Sequence, residues 1–314
     1  MKRVFIDGSA GTTGLRIRER LSSREDLELV VLSEELRKDV AARRDALNAC
    51  DVAFLCLPDA AAIEAAGLVE NPATVVIDTS TAHRTANGWE YGFPELEGRR
   101  ERIAASHRIA NPGCHASGFV ALVAPLVSCG IVAADEKLCA FSLTGYSGGG
   151  KKMIAQYEET LSDAQPQDRL AFLGGRQYAL GQAHKHLPEM VKVCGLDQAP
   201  CFSPIVVPHE SGMEVTVQLF GKPIDAIRSC YQHYYSKGGL VRYVENPAEA
   251  ENGMLSSAAL SGRDDMEVSV YGNDDRIVLV SRFDNLGKGA SGAAIQNMNI
   301  VLGCAEDRGL VSKA

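Results

Sequence analysis

The sequence carries no surplus of positive charge: 32 Lys+Arg stand against 40 Asp+Glu, a formal net charge of −8 over 314 residues. Nucleic acids and anionic membranes recruit proteins through Lys and Arg clusters, so neither is the expected partner. Long apolar runs are also missing. The most apolar stretch, Phe119 to Ala134, is interrupted by Pro125, Ser128, Cys129 and Gly130. It falls short of the roughly 20 residues a bilayer-spanning helix needs. No secretory leader is expected, because Met1-Lys2-Arg3 runs directly into the short apolar segment Val4–Ile6 and then into glycines. Internal repeats, low-complexity segments and flexible linkers are absent. The nine cysteines show no C-x-x-C spacing, and most sit in apolar runs such as Ala53-Phe-Leu-Cys-Leu57. There a thiol acts as a small hydrophobe. A reducing cytoplasm is the compartment this usage implies.

What is present is a globular composition, 46% hydrophobic and 23% charged. At roughly 100–200 residues per domain the length implies about two domains. In the first hundred residues, short β-like runs alternate with helical stretches. Val4–Ile6 precedes a helix over about 13–21, and Leu29–Leu32 one over about 35–47. Val52–Leu57 precedes an alanine-rich helix over 60–68, and Thr74–Ile77 ends at Asp78. Such alternation predicts α/β architecture: βαβ units in a doubly wound parallel sheet, with a ligand-binding edge at the strands' carboxyl ends. After about residue 135 the pattern changes. Lys137–Leu143, Cys201–Val207, Glu214–Phe220, Glu267–Tyr271 and Ile277–Ser281 read as strands without a helix between each pair. A mixed or antiparallel sheet in a second domain follows, and a helix over Gly289–Leu302 is expected to return to the first.

Directly after the first strand comes Gly8-Ser-Ala-Gly11-Thr-Thr-Gly14. Glycines at a helix start let backbone N–H groups approach a pyrophosphate, whose charge the helix N-terminus favours. The spacing is G-x-x-G-x-x-G, looser than the dinucleotide fingerprint, and a ligand-free glycine turn is the competing reading. About 20 residues on, an acidic side chain would select NAD by bonding the ribose 2′-hydroxyl. Here Glu34 argues for NAD, while Ser33, Arg37 and Lys38 suit a 2′-phosphate.

The segment Asn111-Pro-Gly-Cys114-His-Ala-Ser117 carries the chemistry. Asn-Pro-Gly makes a tight turn and the residues after it begin a helix, which places Cys114 at a helix N-terminus where a thiolate is favoured. The other eight cysteines read as buried and structural. A thiolate nucleophile needs a proton shuttle. His184 and His186, two apart in Tyr178-Ala-Leu-Gly-Gln-Ala-His-Lys-His-Leu-Pro-Glu189, face the same way in an extended segment, and Glu189 is placed to orient one of them. No third and fourth ligand accompanies the pair, so a metal is not expected. Plain surface histidines are the other alternative. His83, His107, His115, His209 and His233 lack comparable company. A nicotinamide-binding half and a thiolate together fit one reaction class: thioester chemistry between an aldehyde and an acyl phosphate, with backbone N–H groups stabilising the oxyanion.

These residues together resemble the semialdehyde dehydrogenase family, and within it the shorter subtype of N-acetyl-γ-glutamyl-phosphate reductases of arginine biosynthesis. The resemblance runs end to end. It rests on Gly8–Gly14, Ile77-Asp-Thr-Ser-Thr-Ala-His-Arg84, Tyr91-Gly-Phe-Pro-Glu95, Asn111–His115, Thr144-Gly-Tyr-Ser-Gly-Gly-Gly-Lys151, His184–Glu189 and Asn285–Asn297. It implies Cys114 as the covalent nucleophile and the His184/His186 pair, with His186 favoured, for proton transfer. It implies NADP(H), held by Gly8, Ser9, Gly11, Thr12, Thr13, Gly14, Ser33, Arg37, Lys38, Cys56, Pro58 and Ser80. Ser147, Gly148, Asn285, Gly287 and Lys288 are further cofactor contacts on this reading. Arg84, Asn111, Gly150, Lys151, Tyr178 and Glu189 become substrate contacts, and the two cations among them suit a substrate with carboxylate and phosphoryl groups. The implied architecture is a Rossmann-type domain, 1–113 completed by 285–314, and an α+β catalytic and oligomerisation domain, 114–284, in a homodimer or homotetramer. Two alternatives stay open: the same chemistry on aspartyl or aminoadipyl phosphate, and a non-catalytic NADP-binding redox sensor.

Overall fold

The computed structural model describes residues 1–247, 250 and 252–313, with Asp163 described by its backbone alone. The chain divides into two compact units. One comprises Met1–Gly113 and Ala290–Leu310, the other Cys114–Gly289 and residues 311–313.

In the first unit the elements run β1 (Lys2–Asp7), α1 (Thr12–Leu21), β2 (Leu27–Val30), α2 (Val40–Asn48), β3 (Val52–Leu55) and α3 (Asp59–Gly67). They continue through β4 (Val75–Asp78), β5 (Glu90–Tyr91), α4 (Arg99–Ala105) and β6 (Arg108–Ala110). The sheet has the order β2-β1-β3-β4-β6-β5 with every pair parallel. Because helices cover both faces, β3 (Val-Ala-Phe-Leu) is buried on both sides and reads as a continuous apolar run. On one face Val4, Ile6, Phe54 and Ile77 pack with Ile17 and Leu21 of α1 and with Ile295 and Met298 of a returning helix, Gly292–Val301. On the other, Phe5, Ala53, Leu55 and Val76 pack with Ala46, Leu47 and Ala65.

The helix expected over 35–47 begins only at Val40. The Asp39 carboxylate accepts a hydrogen bond from the Ala42 N–H at 2.8 Å and so caps α2. Residues 34–38 instead form a turn, closed by the N–H groups of Leu36 and Arg37 on the Ser33 carbonyl.

The second unit holds α5 (Cys114–Ser128), β7 (Cys139–Gly145), α6 (Gly150–Asp163), α7 (Pro166–Leu173), β8 (Arg176–Gln177), α8 (Leu187–Cys194), β9 (Cys201–Val207) and β10 (Met213–Phe220). After these come α9 (Ile224–Tyr234), β11 (Val241–Tyr243), β12 (Met266–Asn273) and β13 (Arg276–Phe283). Its sheet, β11-β12-β13-β10-β7-β9-β8, is mixed: β12, β13, β10 and β7 pair antiparallel, while β7 with β9 and β11 with β12 are parallel. Residues 285–289 and 311–313 pack with this unit. Asn285 accepts from the Gly212 N–H at 2.9 Å, and the Asp264 N–H donates to the Val311 carbonyl at 2.6 Å.

Helix α5 is buried over every residue from His115 to Leu126, as its apolar composition on all sides demands. Gly118 lets it seat directly on the sheet: a Cβ there would lie 2.5 Å from Val215 and 2.7 Å from the Ser281 hydroxyl. Pro125 sits inside the helix and has no N–H to offer the Ala121 carbonyl. The Tyr235 hydroxyl takes that place, donating to Ala121 at 2.6 Å. Among the described residues no helix is long and apolar enough to cross a membrane.

Candidate active site

At the end of β1 the chain turns through Gly8, whose φ is +86° and whose Cβ, were it present, would lie 2.3 Å from the Cys56 carbonyl oxygen. A Cβ on Gly14 would lie 2.5 Å from the Gly8 carbonyl oxygen. Both glycines are therefore required by the loop's own packing. Gly11 is different: a Cβ there would meet nothing nearer than 3.5 Å, so the space in front of it is open to a ligand. Gly11 also caps α1 without a side-chain bond, and the first turn, starting Thr12-Thr13, carries no acidic residue. N–H groups in a helix's first turn have no intrahelical partner, and the absence of an acidic residue there leaves that end favourable to an anion.

Beside this loop is a cavity of about 270 Å³ lined by Asp7, Gly8, Ser9, Ala10, Arg37, Lys38 and Arg43, with Ile6, Leu32, Leu57 and Ala61 as apolar walls. The Glu34 carboxylate turns to Arg37 and pairs with it while remaining largely exposed. Arg43 donates through Nε and a terminal nitrogen to one Asp7 oxygen at 3.0 and 2.9 Å. Burial pushes the Asp7 carboxyl above its ordinary range, though Arg43 pulls the other way. A cationic rim, apolar walls and a helix N-terminus suit a phosphorylated dinucleotide.

The loop after β4 is organised by buried Asp78. Its carboxylate accepts from the Ser80 N–H and hydroxyl at 2.9 and 2.7 Å, and approaches His83 Nδ1 at 2.6 Å. The His83 ring stacks on Trp89 at 3.9 Å. The Arg84 guanidinium bridges the carbonyls of Asn111 and Thr79 at 2.9 and 3.1 Å. Asn111, itself buried, donates to the Ala290 carbonyl at 3.0 Å. These two expected substrate contacts thus brace the Asn-Pro-Gly turn that leads into Cys114. Pro58 precedes α3 as its N-cap residue, and the Cys56 N–H bonds Asp7.

Cys114 opens α5, half-buried. A Cβ on Gly289 would stand 2.9 Å from its Cβ, so the glycine gives the Cys114 side chain its room. Behind Cys114 lies an aromatic and histidine cluster. Buried His115 has Nδ1 2.7 Å from the Ser142 hydroxyl and Nε2 2.7 Å from the Tyr178 hydroxyl. Its ring centroid is 5.2 Å from that of His184, 5.5 Å from His186 and 5.4 Å from Phe202. The reading of His115 as a histidine without company is corrected here. The signal that finds it is tertiary: Ser142 arrives on β7 and Phe202 on β9, neighbours in the sheet.

The His184/His186 pair does meet, with ring centroids 4.6 Å apart and perpendicular. The segment is not extended, however. Ala179 and Gln182 take left-handed φ values of 53° and 54°, and His186 has helical backbone angles at the start of α8. The His186 N–H donates to His184 Nδ1 at 3.1 Å, which leaves the proton of a neutral His184 on Nε2, 3.5 Å from the Tyr178 hydroxyl. Buried Glu189 lies 4.0 Å from His186 Nε2. Burial, then the charges of His184 and Lys185, holds His115 well below the ordinary imidazole range. Burial raises Tyr178, with the Cys114 charge a smaller cause. Both are neutral groups at pH 7. Among the described residues no three His, Cys, Asp or Glu side chains gather as a metal site.

Of the remaining expected residues, buried Ser147 accepts from Asn285 Nδ2 at 3.0 Å, which fixes the turn Tyr146–Gly149. A Cβ on Gly148 would make only ordinary contacts, 3.4 Å from the Thr144 hydroxyl and 3.5 Å from Asn285 Nδ2. Gly150 adopts φ +72° at the start of α6, and Lys151 is exposed beside it. A Cβ on Gly287 would lie 2.0 Å from the Arg263 carbonyl oxygen, so that glycine answers a close backbone approach. Lys288 is fully buried in a π-helical turn, Gly287–Ser291.

Two family models match the chain. One, described as the semialdehyde dehydrogenase NAD binding domain, covers residues 3–106, and the other, the semialdehyde dehydrogenase dimerisation domain, covers 114–285. An N-acetyl-γ-glutamyl-phosphate reductase of Burkholderia ambifaria is 42% identical over 312 residues, 96% of this chain and 96% of that one. One of Brucella ovis is 44% identical over 311 residues, 96% of this chain and 99% of that one. Among solved structures, aspartate semialdehyde dehydrogenase II of Vibrio cholerae matches with a TM-score of 0.71 at 17% identity, over 96% of this chain and 98% of that one. At that identity the likeness speaks for the fold alone.

Proposed function

The chain belongs to the semialdehyde dehydrogenase family, and from that premise we propose that it reduces N-acetyl-γ-glutamyl phosphate to N-acetylglutamate 5-semialdehyde and phosphate with NADPH, in arginine biosynthesis. The observation that carries this reading is Cys114 at the first turn of α5, backed by the cluster of His115, Tyr178, His184 and His186. The names of the two relatives support the substrate.

In the proposed mechanism, Cys114 Sγ attacks the acyl carbon and the acyl-phosphate C–O bond breaks, leaving a thioester and phosphate. The thiol proton passes through the His184/His186 pair to the departing phosphate. N–H groups in the first turn of α5 stabilise the oxyanion. NADPH, when bound, supplies the hydride for the thioester carbon. The C–S bond then breaks, the aldehyde leaves, and Cys114 takes up a proton from water. Arg37 and Lys38, with Arg43 held by Asp7, favour the 2′-phosphate, and Glu34 is occupied by Arg37. Gly11 and the first turn of α1 receive the pyrophosphate. The working state in this proposal is a cytoplasmic homodimer or homotetramer.

The test runs the reaction backwards, following the nicotinamide band with N-acetylglutamate semialdehyde, NADP and phosphate, with arsenate as an alternative acceptor. Phosphate-dependent turnover that is lost in Cys114→Ser is the expected result. Turnover with aspartate semialdehyde alone would transfer the mechanism to another substrate, and NADP binding with no turnover would leave a sensor.

A further inference from the structure

At the opposite end of α5 from Cys114, two other cysteines meet. Cys129 follows the last turn of α5 and is exposed, while Cys230 lies on the inner face of α9 at 8% exposure. Their sulfurs are 2.7 Å apart, although 101 residues separate them. That is closer than the sum of two sulfur radii and only about 0.7 Å longer than a disulfide bond. The juxtaposition is built into the packing of the two helices. Tyr231 of α9 and Tyr235, the residue that follows the helix, donate their hydroxyls to the Leu122 and Ala121 carbonyls of α5. Cys230 points its thiol at the Pro125 carbonyl, 3.6 Å away, and the same carbonyl accepts the Cys129 N–H at 2.9 Å. The Pro125 break in the α5 hydrogen-bond ladder thus calls in α9, and α9 brings Cys230 to Cys129.

We propose that Cys129 and Cys230 form a peroxide-oxidisable dithiol, which closes to an intramolecular disulfide fastening α5 to α9. The exposed thiol of Cys129 reacts first with hydrogen peroxide to give a sulfenic acid and water. The Cys230 sulfur then attacks the Cys129 sulfur, the S–O bond breaks, and the hydroxyl leaves as a second water carrying the Cys230 proton. Two thiols lose two electrons and two protons to one peroxide. Cys230 is shielded from the oxidant by its burial, which also pushes its thiol up to about 12, and its contact with the Cys129 sulfur at 2.7 Å makes it the resolving partner. A small-molecule thiol reverses the reaction by exchange at exposed Cys129. In a reducing compartment the bond is therefore transient. Its effect is mechanical, because the helix so fastened is the one that begins at Cys114.

The experiment treats the native protein with hydrogen peroxide, blocks remaining thiols with N-ethylmaleimide in denaturant, and maps an unreduced digest by mass spectrometry. The expected result is a Cys129–Cys230 linked peptide that disappears on reduction. The melting temperature should rise by about 5 °C, since the bond closes a long loop. Cys129→Ser, an exposed substitution that spares the core, should show neither the link nor the rise. Recovery of both cysteines alkylated, linkage of Cys129 to another cysteine, or accumulation of sulfinic acid at Cys129 would each overturn the proposal. So would an equal rise in melting temperature in Cys129→Ser.

Discussion

The Tyr178 hydroxyl lies 2.7 Å from Nε2 of His115, which ties the residue after Cys114 to the segment that carries His184 and His186. The same hydroxyl stands 3.5 Å from His184. With the proton of a neutral His184 on Nε2 facing it, the Tyr178 hydroxyl is free to donate to His115 Nε2, which places the His115 proton on Nδ1, towards Ser142.

Tyr178→Phe should therefore cost about 1–2 kcal/mol of stability, the penalty for leaving a buried imidazole nitrogen without its partner. It should also lower kcat while leaving the KM for NADPH unchanged. Denaturant unfolding and steady-state kinetics check both. An unchanged kcat would remove Tyr178 from the proton network.

Stability should decline as pH falls below about 6.5, and His115 should be one cause. In the unfolded chain this imidazole takes up a proton near 6.5. Burial keeps the folded one neutral well below that. Unfolding then binds up to one extra proton, and each pH unit below 6.5 costs up to about 1.4 kcal/mol, with no contribution above it. Unfolding curves between about pH 5 and about pH 8 should show a shallower decline in His115→Gln.

The three glycines of the first loop should separate. Gly14→Ala forces a contact of 2.5 Å on the Gly8 carbonyl and should destabilise the first unit by about 1–3 kcal/mol. Gly11→Ala meets only ordinary contacts. It should melt like the parent yet bind NADP at least about tenfold more weakly, a loss of about 1.4 kcal/mol. Calorimetric melting and cofactor titration give the two readouts. Equal NADP affinity in Gly11→Ala would mean that no ligand approaches there.

Arg37→Ala and Lys38→Ala should each raise the KM for NADPH about tenfold, in line with a lost charge-assisted hydrogen bond. The KM for NADH should stay the same or fall. Because Arg37 also neutralises Glu34, its removal frees an acid for the ribose hydroxyl, and Arg37→Ala should shift selectivity towards NAD more than Lys38→Ala does. Initial rates with both cofactors decide it.

The sequence by itself determined the alternation of strands and helices in the first unit, the glycine loop, the turn before Cys114 and the principal strands of the second sheet. Each is written in residues close together in the chain: apolar period, Gly and Pro at turns, a Cys at a helix start. It also pointed to the meeting of His184 with His186, two residues apart. Where the signal was a single residue, it was easy to miss. Asp39 shortened α2 through one capping bond, and the brief edge strands β8 and β11 carry too few residues for a period. Only the tertiary structure decided that His115 stands among Ser142, Tyr178, His184 and His186, and that Cys129 faces Cys230. The physical reason is common to both. Backbone conformation follows from local sterics and hydrogen bonding, whereas which side chains converge depends on strand order, register and helix docking, and these join residues far apart in the chain.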